Sequence, residues 1–348
     1  MTSSRYDLVI VGGGIVGACS AYMTAISHPG WRILVLDRQL IGDGNATAYS
    51  AALAPHFGRS PDQLEMSARS LQLYREWHQR LNLPLRDIDV VWITSPESAG
   101  RIPDMLGGEI LPADELLAAH PYVVLPPNWT AFRTRALQSP DPSQLTARLL
   151  HWTRKRAGLE VWDGVQAVDL HDEGELCQLS LADGRRLSAS KVIVATGPWG
   201  LSGPGQEAVR AAGIRRKKIV ALHVQAPPPR DAPVFVFFDD EAFLLPWADS
   251  SMWLLSITST EWDCDVDASK LFISSSERAH GRAILAGFAP SLRDACVAGR
   301  VFSDTYSPTG VPCISGLRGR WATANGGSGA GFRLAPEIAR AALNWITS

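Results

Sequence analysis

The hydrophobic pattern opens with a short β-branched run at residues 6–11 that stops at Gly12, and a helical stretch of alanine and other small residues follows at 15–27. A second apolar run at 31–36 closes a strand–helix–strand unit, about the 30 residues that a mononucleotide-binding half needs. A parallel sheet is predicted to start here. Residues 43–55 mix glycine, alanine, serine and threonine without periodicity, which predicts a close-packed loop, and helical spacing returns over 61–81 through Leu64, Ala68, Leu71, Tyr74 and Leu81. Further along, the pattern predicts a strand at 90–94, a short helix at 112–119 and a longer helix at 140–156. Runs at 165–170, 176–181 and 185–187, separated by Gly and Asp, predict a small antiparallel meander, and 191–195 reads as a buried strand ending at Thr196-Gly197-Pro198. The runs 219–238 and 243–257 add strands of a second sheet, and the chain closes with a glycine loop at 326–331 and a helix at 336–346.

Composition narrows the class. With 348 residues, 46% of them apolar, the chain can bury a large core as one large domain or two interleaved ones. Lys plus Arg total 33 against 35 Asp plus Glu, so no net field exists to gather nucleic acid or an anionic membrane, and a small-molecule partner is expected. Cys19, Cys177, Cys264, Cys296 and Cys313 are far apart and form no CxxC, which argues against a disulfide framework and against a zinc site. The first apolar run is too short for a signal segment and no long apolar stretch follows, so a reduced, soluble, cytoplasmic protein is expected.

The chemistry begins at Gly12, Gly14 and Gly17, a G-x-G-x-x-G set between the first strand and its helix. There, backbone N–H groups and the positive helix end can face a pyrophosphate at close range, with Ile15 and Val16 opening the helix. Asp37, at the end of the second strand, stands where a carboxylate can accept hydrogen bonds from adenosine ribose hydroxyls. These residues do not choose FAD over NAD. Two later features favour the longer FAD: the strand ending at Ala195-Thr196-Gly197, and the glycine loop before the last helix. A helix N-terminus aimed at the flavin pyrimidine would stabilise the negative charge that reduction places there; the alternative for that loop is a plain surface turn.

The stretches VIVGGGIVGA with VLDR, NATAYSAALAPH, LEMSARSLQLYREW, KVIVATGPW, SPTGVPCIS and GGSGAGFRLAP together resemble the D-amino-acid oxidase superfamily of FAD enzymes, especially its glycine oxidase and sarcosine oxidase branch, over nearly the whole chain. The resemblance implies that Asp37 and Arg38 lie at the adenosine, Val165 near the adenine, and Asn45, Ala46, Thr47, Ser50, Ala51 and Ala52 near the pyrophosphate and flavin. It also implies that Gly327, Ser328, Gly329, Ala330, Gly331, Phe332 and Arg333 wrap the isoalloxazine edge. The implied reaction is oxidation of a carbon–nitrogen bond of an amine to an imine, the electrons passing to flavin N5 and on to dioxygen with peroxide formed; positioning and exclusion of water are then the protein's tasks.

The sequence departs from the family at the carboxylate anchor. An Arg is usual shortly before a T-x-D-G-x-P turn, where it can clamp an amino acid bidentately; counting back from Gly310 and Pro312 places Asp304 there. This predicts an amine with a second cationic group, or one whose carboxylate is esterified, amidated or tethered to a carrier. The alternative is a local gap, with Arg300 or Arg333 as clamp. Phe243 stands where the glycine oxidase branch has a substrate-contacting Tyr, and Tyr306 and Trp247 could wall an apolar pocket. His56 could approach the flavin, and the run Arg215-Arg216-Lys217-Lys218 reads as a solvated strand edge or a docking patch for an acidic partner. Neither a His in the small-residue loop nor a matching Cys offers a covalent link, Cys313 falling past the turn, so FAD is expected to be noncovalent.

The predicted fold is α/β: a discontinuous Rossmann-like FAD-binding domain (1–85, 140–215, 300–348) and a substrate domain on a mixed, mostly antiparallel β-sheet (86–139, 216–299). The predicted activity is that of an FAD-dependent amine or amino-acid oxidase or dehydrogenase. A flavin dehydrogenase of a hydroxy acid and a flavin-bearing subunit of a heteromeric dehydrogenase are the alternatives.

Overall fold

The computed structural model describes residues 5–106, 108–156, 158–247 and 251–348. Two large sheets organise them. The first runs in the order Cys313–Leu317, Trp321–Asn325, Arg186–Val194, Arg5–Val11, Arg32–Leu36, Gly158–Trp162, and every junction after the first is parallel. Both faces are covered, which is why these strands read as continuous apolar runs. Leu8, Ile10, Ile33 and Val35 pack under the helices, and Val9, Val11, Leu34 and Leu36 pack against the antiparallel annex Ala167–Asp172 and Cys177–Leu181. Helix Ile15–Ser27 lies between Pro142–Arg156 and Gly331–Thr347 and is small-sided enough for both to approach.

The second sheet is ordered Cys296–Tyr306, Arg215–Val224, Met252–Trp262, Ala242–Trp247, Val234–Phe237, Arg86–Thr94, Thr130–Gln138, Leu53–Pro55, with Glu109–Leu111 also on Thr130–Gln138. Its pairs are antiparallel except Val234–Phe237 with Arg86–Thr94. One face packs through Leu222, Leu255 and Phe237 onto helix Ser275–Phe288; the other faces the first sheet's glycine turns. The predicted run 243–257 is two strands, whose connection at 248–250 lies outside the described residues.

Helix Pro61–Leu81 has its predicted bounds because both ends carry chemical stops. Ser60 Oγ accepts from the Gln63 N–H at 3.2 Å, Pro61 takes the first turn, and Asn82 ends the helix in the left-handed region. Elsewhere the structure corrects the pattern. The supposed loop at 43–55 contains the helical turn Asn45–Tyr49 and the short strand Leu53–Pro55, which is held by pairing with Gln138 to Ala136. The runs 185–187 and 191–195 form one strand, Arg186–Val194, whose first half pairs with the annex and whose length pairs with Arg5–Val11. The small polar Ser188 and Ser190 between the two runs had divided it. The last helix starts at Gly331, so Pro336 sits inside it. Strand Cys296–Tyr306 and helix Ser275–Phe288 were not anticipated; the helix carries a full capping box, Ser274 with Glu277, that the sequence displays.

Candidate active site

A cavity of about 710 Å³ runs between the two sheets. At its first-sheet end the chain turns at Gly12, where an added Cβ would lie 2.4 Å from the Ala195 carbonyl oxygen, and at Gly17 it would lie 1.9 Å from the Gly12 oxygen. Strand, turn and helix close up only without side chains. Asp37 accepts from the Gly13 N–H at 2.7 Å and the Gln39 N–H at 2.9 Å, and burial pushes its carboxyl up. Thr47 Oγ1 accepts from Ile15 N–H at 3.1 Å. Beside Asp37, the Arg38 guanidinium lies 5.1 Å from the Trp199 ring, and the Val165 N–H donates to the Asp37 carbonyl at 2.7 Å.

The far end is built by the glycine loop. Ser328 N–H donates to the Thr305 carbonyl at 2.8 Å, Gly326 N–H to Thr305 Oγ1 at 3.2 Å, and Asp304 accepts from Gly329 N–H at 3.3 Å and Thr305 N–H at 2.8 Å. Ser328 and Ala52, both on cavity loops, hold φ of 51° and 47°, conformations that non-glycine residues adopt at a cost. Along strand Cys296–Tyr306, Arg300, Phe302, Asp304 and Tyr306 fall on one face and line the cavity. Asp304 is partly open to the cavity yet deep within the protein, so desolvation pushes its carboxyl up to about 6. Burial, with Asp304 and Glu241 nearby, also raises the Tyr306 phenol, which stays neutral.

Arg333, in the first turn of helix Gly331–Thr347, lies 5.3 Å from the Phe57 ring centre. Its Nε is buried without a hydrogen-bond partner, and burial together with Arg59 pushes the guanidinium down to about 10. It remains a cation at neutral pH, and among the described residues no carboxylate pairs with it. Arg59 itself pairs with Glu241 at 2.6 Å. Arg300 stacks on Trp247 at 4.8 Å and on Tyr49 at 5.8 Å.

These features fit an extended dinucleotide. Helices Ile15–Ser27 and Gly331–Thr347 both open onto the cavity with N-cap residues whose side chains do not cap them and no acidic residue in the first turn, so both ends favour negative charge. Thr196 Oγ1 and both amide atoms of Asn325 are buried there without partners. Gly12, Gly14, Ile15, Val16, Asp37, Arg38, Ala46, Thr47, Ser50, Ala51, Ala52, Val165, Thr196 and Gly197 would hold the adenosine, phosphates and flavin edge, with Gly327, Ser328, Gly329, Gly331 and Phe332 opposite; all line the cavity.

Gly17 and Ala330 do not line it; Gly17 acts through close packing and Ala330 as the N-cap of the last helix. The Asn45 side chain lies outside the described residues. Phe243 and Tyr306 line the cavity as expected, whereas Trp247 only backs Arg300. His56 is exposed in a surface groove with Gln72 and Arg75, away from the cavity, and Cys313 sits in the ladder opposite Asn325. The basic run is neither edge nor patch. Arg215 pairs with Asp263, Lys218 is buried and bonded to Glu261 and, at 3.1 Å, to Glu277, and Lys217 enters the cavity between the Trp262 and Tyr306 rings. Lys217, Asn325 and the Arg59–Glu241 pair escaped the sequence reading; alternation along 215–224 was the signal for Lys217.

Residues 7–345 match the family model described as DAO, FAD dependent oxidoreductase. No curated protein sequence matches the chain. Among solved structures, it is similar to glycine oxidase from Geobacillus kaustophilus at 19% identity and TM-score 0.78, covering 98% of this chain and 94% of that one. Iminodiacetate oxidase from Chelativorans sp. BNC1 gives 19%, 0.76, 97% and 95%, and L-proline dehydrogenase from P. horikoshii 17%, 0.78, 97% and 92%. At these identities the likeness shows the shared fold. The nearly full-length family match shows more: the chain belongs to the DAO family and is an FAD-dependent oxidoreductase.

Proposed function

We propose that this enzyme oxidises the carbon–nitrogen bond of a small amine bearing a carboxylate, an amino acid or N-substituted amino acid, with noncovalent FAD and with dioxygen as acceptor. Bound FAD supplies the two-electron oxidation. The observation that carries the substrate reading is Arg333, a part-buried cation on the cavity wall whose Nε is buried and which has no anion of the protein beside it among the described residues. A guanidinium so desolvated is stabilised by an anionic ligand, which it can hold through two parallel N–H bonds.

This replaces the reading built on Asp304. That carboxylate already accepts from two backbone N–H groups and fixes the glycine loop, so its sign describes the loop rather than the substrate. Arg333 binds and orients the carboxylate, and the aromatic wall around Phe57 keeps water from the amine. No side chain is assigned proton abstraction, because a neutral amine needs none. The neighbours named glycine oxidase and iminodiacetate oxidase support an amine with a carboxylate and an oxidase; the one named dehydrogenase marks the alternative acceptor.

The test is product stoichiometry on aerated holoenzyme. One amine should yield equal amounts of hydrogen peroxide, the amine or ammonia released by hydrolysis of the imine, and the corresponding carbonyl compound. Turnover with an added dye but not with air would move the assignment to a dehydrogenase. Oxidation of hydroxy acids alone, or activity only after a partner chain is added, would select one of the two other readings.

A further inference from the structure

We infer that the preferred substrate carries a large apolar or aromatic side chain, seated on a row of side chains that crosses the second sheet beside Arg333. The inference rests on the amine-oxidation reading above. Trp92 stands directly opposite Val236, and Val236 directly opposite Phe243. Cross-strand partners point to the same side of a sheet, and all three line the cavity. Phe57 closes the row, its ring 5.1 Å from Trp92 and 6.4 Å from Phe238, and it is the ring on which Arg333 lies. The cation that would hold the carboxylate therefore adjoins a continuous apolar wall.

The stretch from Phe57 to Phe243 offers nothing to a polar side chain; polar groups enter the row only beyond it, at Ser256 opposite Phe243 and at Arg300. The one polar group of that stretch, the Trp92 indole N–H, already donates to Thr134 Oγ1 at 2.9 Å. Phe243 lacks the hydroxyl that a Tyr would bring to this position. Val236 and Phe238 are part-exposed to the cavity while their neighbours Phe235 and Phe237 are fully buried on the other face. The strands Arg86–Thr94, Val234–Phe237 and Ala242–Trp247 contribute no residue to the phosphate turn or to the C-terminal glycine loop. A charged or hydrogen-bonding side chain placed on that stretch would lose its water without a partner, whereas an apolar one gains by transfer.

The experiment is a kcat/KM panel on the holoenzyme with glycine, sarcosine, alanine, aspartate, lysine, leucine, phenylalanine and tryptophan, both enantiomers where they exist. The best apolar or aromatic substrate should exceed glycine, aspartate and lysine by at least about 30-fold, the ratio that burial of such a side chain supplies. Val236→Phe, which fills the row, should lower the phenylalanine-to-alanine ratio by about tenfold or more. Glycine or a charged amino acid as best substrate would overturn the inference and leave the carboxylate reading standing. An unchanged ratio in Val236→Phe with reduced flavin content would also overturn it, since the row would then serve the cofactor. Failure of every amino acid to react would overturn both.

Discussion

The Tyr74 hydroxyl donates to the Phe332 carbonyl at 2.8 Å, and the two rings stack with centroids 5.3 Å apart. The bond has a cause in the sequence. Four residues after Phe332 the helix would use its own N–H, but that residue is Pro336, which has none. Tyr74, fully buried on helix Pro61–Leu81, supplies the missing donor. Thus a middle helix fixes the turn that carries Arg333 and the glycine loop.

Tyr74→Phe keeps the stacking and leaves the carbonyl without that donor. It should destabilise the protein by about 1–3 kcal/mol and lower flavin retention. Calorimetry and the visible-to-ultraviolet absorbance ratio of the purified protein measure both; an unchanged melting temperature would mean that another donor reaches Phe332.

Local chemistry made the nucleotide half legible. Gly12, Gly14, Gly17 and Asp37 lie within one strand–helix–strand unit, and the meaning of each depends on its near neighbours. The long helix was legible through the spacing of Leu64, Ala68, Leu71, Tyr74 and Leu81, and Ser60 and Asn82 cap the ends so predicted. Tyr74 in that helix reads as one more apolar position, since its partner is more than 250 residues away. The same limit hid this part of the cavity wall: Trp92, Val236 and Phe243 meet only through sheet pairing. Counting along the chain placed Asp304 but could not show that its carboxylate faces the Gly329 N–H.

Gly12→Ala should abolish flavin binding or folding. The new methyl would collide with the Ala195 backbone, and φ of 107° strains any side chain there. Expression yield and flavin content report it, and a yellow, stable Gly12→Ala protein would refute the close approach.

Asp304 should impose a pH dependence on stability. Its folded-state pKa, about 6, lies above the ordinary 3.8. The folded state therefore holds this proton more tightly, and the associated stability is present below about pH 4 and lost as pH rises through 6. The difference is roughly 2–3 kcal/mol. Asp304→Asn should flatten the melting temperature between pH 4 and 7 relative to the unaltered protein. Parallel curves for the two proteins would show that Asp304 titrates normally.

Arg333→Met should raise KM for a carboxylate-bearing amine and lower kcat/KM by about 2–4 kcal/mol, a factor of 30 or more. An amine without the carboxylate should lose far less. Arg333→Lys should recover only part, because an ammonium cannot make the paired bonds. Equal losses on both substrates would place Arg333 outside carboxylate binding.

The most direct measurement is anaerobic mixing of the purified holoenzyme with an amine acid and with the hydroxy acid of the same carbon skeleton, following the visible absorbance of the flavin. Prompt bleaching by the amine and none by the hydroxy acid is the expected result. Bleaching by the hydroxy acid alone, or a polypeptide that is colourless and takes up no FAD, would contradict it.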